Sequence, residues 1–149
     1  MDNIRPATLE DISRLAEIEV FNYRLNFYPV FRNDAYYFGE LTVANAVENY
    51  RRTQENVKTT YVYDDGVVKG FIRIEGGEVV KLFVEPVLQG QSIGAQLLNY
   101  AIAHHAVTFL WALEKNDRTL RFYLQRGFHL TGKRKVEEGT TEYLVRLER

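Results

Sequence analysis

The sequence predicts an α/β (α+β) fold: a mixed, mostly antiparallel central sheet flanked by helices, in one domain spanning residues 1–149. Three observations carry this. Residues 59–85 hold three β-rich segments separated by tight turns, the pattern of an antiparallel meander. After Pro86 the apolar spacing changes from strand-like to helix-like, and a short apolar run follows, which is the pattern of a parallel crossover. Two last strand segments, joined through Glu138-Gly139, close the sheet as a hairpin. A chain of 149 residues buries about two thirds of its unfolded surface, enough for a sizeable core.

Each element has its own signal. Ile4 lies in a short first strand near residues 2–5. Thr8 reads as an N-cap with Asp11 as a capping-box partner. Leu9, Ile12, Leu15, Ala16 and Val20 then recur at helical spacing to about Arg24. Residues 21–38 carry Phe21, Tyr23, Phe27, Tyr28, Phe31, Tyr36, Tyr37 and Phe38, and Pro29 with the Arg32-Asn33-Asp34 run breaks any long helix there. Thr42 caps a second helix reaching about Thr53. The meander strands are Thr59–Tyr63, Val67–Ile74 and Glu78–Glu85, with turns at Asp64-Asp65-Gly66 and Gly76-Gly77. Pro86 ends the third, because proline cannot donate to a ladder. Ile93, Leu97, Leu98, Ala101 and Ile102 mark a helix over Ser92–His105, and Thr108–Leu113 is the strand after it. Asp117 caps a helix carrying Leu120, Tyr123 and Leu124, and Gly127 is its C′ residue. Phe128–Lys133 and Thr140–Leu147 form the closing hairpin.

Composition excludes several chemistries. Cysteine is absent, so disulfides, zinc–thiolate sites and an acyl-cysteine intermediate are excluded. A formal charge of −1 provides no global field to draw in nucleic acid, and none is expected as a partner. No signal peptide and no long apolar run is visible, so the expected location is the cytoplasm, with no membrane partner. Charge is uneven along the chain. Residues 1–50 hold eight acids against four arginines, whereas residues 115–135 hold Lys115, Arg118, Arg121, Arg126, Lys133, Arg134 and Lys135 against Asp117 alone. These runs are either solvated faces or marks of a cationic ligand near the first half and an anionic one near the second.

The segment Val84-Glu85-Pro86-Val87-Leu88-Gln89-Gly90-Gln91-Ser92-Ile93-Gly94-Ala95 is a strand end, a small-residue turn and a helix start. Small side chains let a ligand approach the backbone. The first amides of the helix lack internal partners and the dipole there favours negative charge, so a pyrophosphate fits. Neither the P-loop pattern nor the dinucleotide glycine fingerprint is present. With Asn116 past the next strand and Phe-Tyr-x-x-x-Gly-Phe at 122–128, the chain resembles the Gcn5-related N-acetyltransferase (GNAT) superfamily. The resemblance rests on Gln-x-x-(Gly)-x-Gly at Gln89–Gly94, on Asn116 and on Phe122–Phe128, and element order agrees over essentially the whole chain. Ser92 stands where the family usually has glycine, which implies a modest effect on pyrophosphate binding.

The resemblance implies transfer of the acetyl group of acetyl-CoA, a co-substrate, to an amine by direct attack, with no covalent enzyme intermediate. The alternative is a non-catalytic acyl-CoA sensor of the same fold. It further implies that the backbone of Gln89, Gly90, Gln91, Ser92, Ile93, Gly94 and Ala95 cradles the pyrophosphate. Phe83 and Val84 would pair their backbone with the pantetheine arm, which Asn116 would also bond. Tyr123 would protonate the departing CoA thiolate, a task that suits a neutral phenol. Attack needs a neutral amine, so a base is called for; Glu78 and Glu85 are the candidates, each equally readable as a solvated strand-end charge. The aromatic stretch 21–38 reads as a wall for a small-molecule or peptide amine, or as core or a homodimer interface. His104, His105 and His129 lack metal-ligand spacing, so no metal is expected.

Overall fold

The structure, a computed structural model, describes residues 3–149. The start of the expected first strand, at Asp2, lies outside them. Seven strands form one sheet: β1 (Ile4–Pro6), β2 (Thr60–Asp64), β3 (Val68–Glu75), β4 (Glu78–Val84), β5 (Phe109–Leu113), β6 (His129–Val136) and β7 (Tyr143–Glu148). Their order is β1-β2-β3-β4-β5-β7-β6, antiparallel at every junction except β4–β5. The helices are α1 (Ile12–Asn26), α2 (Tyr28–Phe31), α3 (Val43–Arg52), α4 (Glu55–Lys58), α5 (Ile93–His105) and α6 (Asp117–Leu124). The meander, the crossover through α5 and the closing hairpin are therefore as the sequence predicts.

Local chemistry explains most boundaries. Thr42 caps α3 by accepting the Asn45 N–H at 3.2 Å. Before α1 a 3-10 turn over Leu9–Asp11 intervenes, and the Asp11 carboxylate accepts the Thr8 N–H at 2.8 Å. One cap differs from expectation. Asn116, and not Asp117, caps α6, its Oδ1 accepting the Thr119 N–H at 3.2 Å. β6 runs longer than predicted, to Val136, because a bulge at Gly132 (φ 85°) lets the strand resume, and β7 begins only at Tyr143.

Alternation along the strands sends side chains to two cores. Tyr63, Ile72, Val84, Leu110 and Leu147 pack with Leu97, Leu98 and Ala101 of α5 and with Tyr123 of α6. On the other face Val62, Val68 and Phe71 pack with Leu15, Ile18 and Val20 of α1 and with Ala46 and Tyr50 of α3. Each fully buried aliphatic side chain contributes about 1.5–3 kcal/mol.

β4 breaks its own alternation. Arg73 pairs with Lys81 but Ile74 pairs with Val79, so Val80 is an extra residue, a bulge. Val79 joins the α5 core, whereas Lys81 and Phe83 turn to the α1 side. The bulge shifts which β4 side chains meet the α5 side of the sheet and which meet the α1 side.

Candidate active site

β4 and β5 run parallel but share only the pair Glu78–Phe109. Beyond it they splay, leaving an open cleft of about 1350 Å³ between β4, β5, the 89–95 turn, α6, the 23–37 segment and the 137–142 loop. The splay leaves β4 with unpaired peptide groups. The Glu85 N–H bonds the Lys69 carbonyl on β3 at 2.9 Å. Pairing is regular from Lys81 to Val84, so alternate residues point the same way and Phe83 also presents its peptide groups to β3. The peptide groups turned into the cleft are therefore those of Leu82 and Val84, whereas the expectation named Phe83 and Val84; both of these residues line the cleft.

The turn after β4 leaves a run of backbone amides open. Gly90 (φ 90°) and Ser92 (φ 63°) are both left-handed, and α5 starts immediately after. Ser92 does not cap the helix; its hydroxyl accepts from Gln96 Nε2 at 3.3 Å. The first helical bond runs from the Gln96 N–H to the Ser92 carbonyl at 3.0 Å. Among the described residues, no protein acceptor takes the N–H groups of Gly90 to Ala95. Gly90, Ser92, Ile93, Gly94 and Ala95 line the cleft, whereas Gln91 is exposed and does not. The Gln89 side chain points inward, to Asn22 on α1.

α6 forms the opposite wall. Tyr123 is 6% exposed, lines the cleft, and has no hydrogen bond to its hydroxyl among the described residues. Burial raises its pKa well above the ordinary phenol value, so it stays a neutral donor. Asn116 spends Oδ1 on the α6 cap, leaving Nδ2 as donor at the cleft. Arg118 and Arg126 of the basic run also line the cleft, and Arg126 lies over the Phe122 ring at 4.0 Å. Lys133 and Arg134 do not line it. Lys135 does line it, and the sequence did not show which members of the run would face the cleft.

The two carboxylate candidates separate. Glu78 lines the cleft where β4 and β5 meet. Glu85 does not; its carboxylate accepts from Arg14 at 2.8 Å, tying α1 to the end of β4. Of the aromatic segment, Tyr23, Phe27, Phe31, Tyr36 and Tyr37 line the cleft, while Phe21 and Phe38 are exposed elsewhere. Tyr28 packs edge-on against Tyr37 and Phe38 and bonds Asp34. Burial, chiefly, pushes the Tyr37 hydroxyl up to about 12. The charge of Glu137, on the loop forming the far rim, adds to the upward shifts of Tyr23 and Tyr37, and Glu138 lines the cleft beside it. Sequence reasoning missed Asn22 and Lys81. Lys81 meets buried Glu19 at 2.6 Å, and the Tyr50 hydroxyl donates to the same oxygen at 2.8 Å. A polar residue on the apolar stripe of α1 was the one available signal for either Asn22 or Glu19.

The sequence matches the family model for the acetyltransferase (GNAT) domain over residues 32–146. The chain belongs to this family. Among curated relatives, the peptidyl-lysine N-acetyltransferase YjaB of Salmonella typhimurium is 30% identical over 77 residues, covering 52% of this chain and 53% of the relative. The peptidyl-lysine N-acetyltransferase YiaC of Escherichia coli K12 is 34% identical over 68 residues, covering 45% and 47%. The chain thus spans about half the length of the curated relatives it matches. In fold it superposes on the PaiA N-acetyltransferase of Thermoplasma acidophilum, solved with coenzyme A, with a TM-score of 0.66 at 19% identity over 98% of each chain. The GNAT fold, a seven-stranded mixed sheet with flanking helices, is therefore shared. Among the described residues no cluster of metal-ligating side chains occurs, and no helix is long and apolar enough to cross a membrane.

Proposed function

We propose that this GNAT domain transfers the acetyl group of acetyl-CoA to a primary amine by direct attack. The observation that carries the reading is the splayed β4–β5 slot. One wall offers the unpaired N–H groups of Gly90 to Ala95 and the Leu82 peptide, and the other offers Tyr123 with an uncommitted hydroxyl. The amides suit a pyrophosphate, assisted by Arg118 and Arg126. The Leu82 backbone, with Asn116 Nδ2, suits the amide groups of the pantetheine arm. Tyr123 donates its proton to the sulfur as the thioester breaks. The amine nitrogen forms its bond to the acetyl carbon and sheds a proton towards Glu78, directly or through water. Glu85 pairs with Arg14 and does not line the cleft, which favours Glu78 of the two. Holding the reactants together supplies a further share of the barrier reduction.

The acceptor side favours a cation. Tyr23, Tyr36 and Tyr37 line the cleft, and Glu137 and Glu138 line it from the 137–142 loop. A lysine side chain fits this chemistry, and the curated relatives are named as peptidyl-lysine N-acetyltransferases, which does not favour a non-catalytic sensor. The test is thiol release from acetyl-CoA with a panel of lysine peptides, polyamines and neutral amines. Release with cationic amines, together with mass-detected acetylation of the acceptor, is expected. Binding of acetyl-CoA with no transfer to any amine would leave a sensor.

A further inference from the structure

Asn22 is 2% exposed and sits at the meeting point of α1, the end of β4 and the cofactor turn. Its Nδ2 donates to the Ile18 carbonyl at 2.8 Å and to the Val84 carbonyl at 2.9 Å. Its Oδ1 accepts from Gln89 Nε2 at 3.2 Å and from Asn26 Nδ2 at 3.4 Å. Gln89 Nε2 also reaches the Val84 carbonyl, at 3.3 Å. Two backbone carbonyls on one side fix the amide orientation, because only an NH₂ group donates to both. The splay explains why the arrangement exists. Where a regular sheet would pair Val84 with β5, β4 has no partner, and a buried carbonyl left alone is costly. Asn22 and Gln89 together stand in for the missing strand.

We propose that Asn22 is a positioning residue for the cofactor: by satisfying Val84 and gripping Gln89 it holds the slot open and the 89–95 turn in its binding shape. The clamp rests on the reading of the slot as the acetyl-CoA site. It uses no atom of the reacting groups. Its loss therefore acts on cofactor binding, while turnover at saturating acetyl-CoA stays close to that of the unaltered protein. The next residue, Tyr23, packs edge-on against Phe83 at 5.3 Å and lines the acceptor side, so the same turn of α1 braces both halves of the cleft.

The experiment is a double-mutant cycle on Asn22→Ala and Gln89→Ala, read by acetyl-CoA calorimetry, by the split between KM and kcat, and by amide exchange in the ligand-free protein. Each single variant is expected to weaken acetyl-CoA about tenfold. The double variant should be little worse than either single one, because both break one unit. The hydrogen-bonded amides that bracket the turn, those of Leu88, Gln89 and Gln96, should exchange faster without ligand. Multiplying losses, or single variants that bind like the unaltered protein, would overturn the clamp. If Asn22→Ala fails to fold, Gln89→Ala decides: unchanged affinity and unchanged exchange overturn the proposal. An unaltered protein that binds no acetyl-CoA would instead sink the cofactor reading, and the exchange rates would still judge the clamp.

Discussion

At the residue scale two side chains carry the account, and each is exposed to a single substitution. Tyr123→Phe keeps the ring in the α5–α6 core and removes only the proton donor. It is expected to lower kcat by about 10²–10⁴-fold with acetyl-CoA affinity nearly unchanged, where chemistry limits turnover. Burial raises the Tyr123 pKa, so its proton is held beyond the unfolded value near 10, and the stability its neutral form contributes is complete below that pH and lost above it. The rate with a lysine acceptor should therefore climb as the amine deprotonates, with no alkaline fall from this group below about pH 10. A pH profile of kcat/KM checks this, and a descending limb between neutrality and pH 9 would contradict it. Ser92 is the second case. A serine at φ 63° is strained in a way glycine is not. Ser92→Gly should stabilise the protein by about 1 kcal/mol, read as a raised Tm. That Ser92 occupies a glycine position was legible in the sequence; that its backbone is left-handed there was not, because a serine hides the requirement.

At the element scale the strands, the crossover and the order of helices were legible because period and turn chemistry change sharply at Gly66, Gly77 and Pro86. The bulge at Val80 was not. It inserts one residue into an unbroken apolar run, and only the pairing of Arg73 with Lys81 and Ile74 with Val79 shows it. The same limit applies to the backbone facing the slot, where a shift of one residue exchanged Phe83 for Leu82. Packing between elements is equally silent in the sequence. Gly70 on β3 is a plain strand glycine until α5 is laid over it. A Cβ there would lie 3.0 Å from the Phe83 carbonyl oxygen and 3.3 Å from Ile93 and Leu97. Gly70→Ala should destabilise the fold by about 1–3 kcal/mol, lowering Tm by several degrees, and should weaken acetyl-CoA because Ile93 opens α5. An unchanged Tm would show that α5 shifts away freely.

For the whole molecule, the basic run of residues 115–135 reaches the cleft through Arg118, Arg126 and Lys135, whereas none of the acids of residues 1–50 that the structure describes lines it; the cleft's carboxylates come from other segments. They include Glu78, Glu137 and Glu138. The sequence separated these charges along the chain but could not bring Glu137 opposite Tyr23, since the 137–142 loop and α1 meet only through the folded sheet. The proposed direct transfer needs an anionic donor and a cationic acceptor in the same cleft at once, and no cysteine is present to carry the acetyl group. The most direct test varies acetyl-CoA and a lysine peptide together in initial-rate measurements. The protein is quenched during turnover and weighed by mass spectrometry. Intersecting reciprocal plots and an unmodified enzyme are predicted; parallel plots with an acetylated enzyme would contradict direct attack.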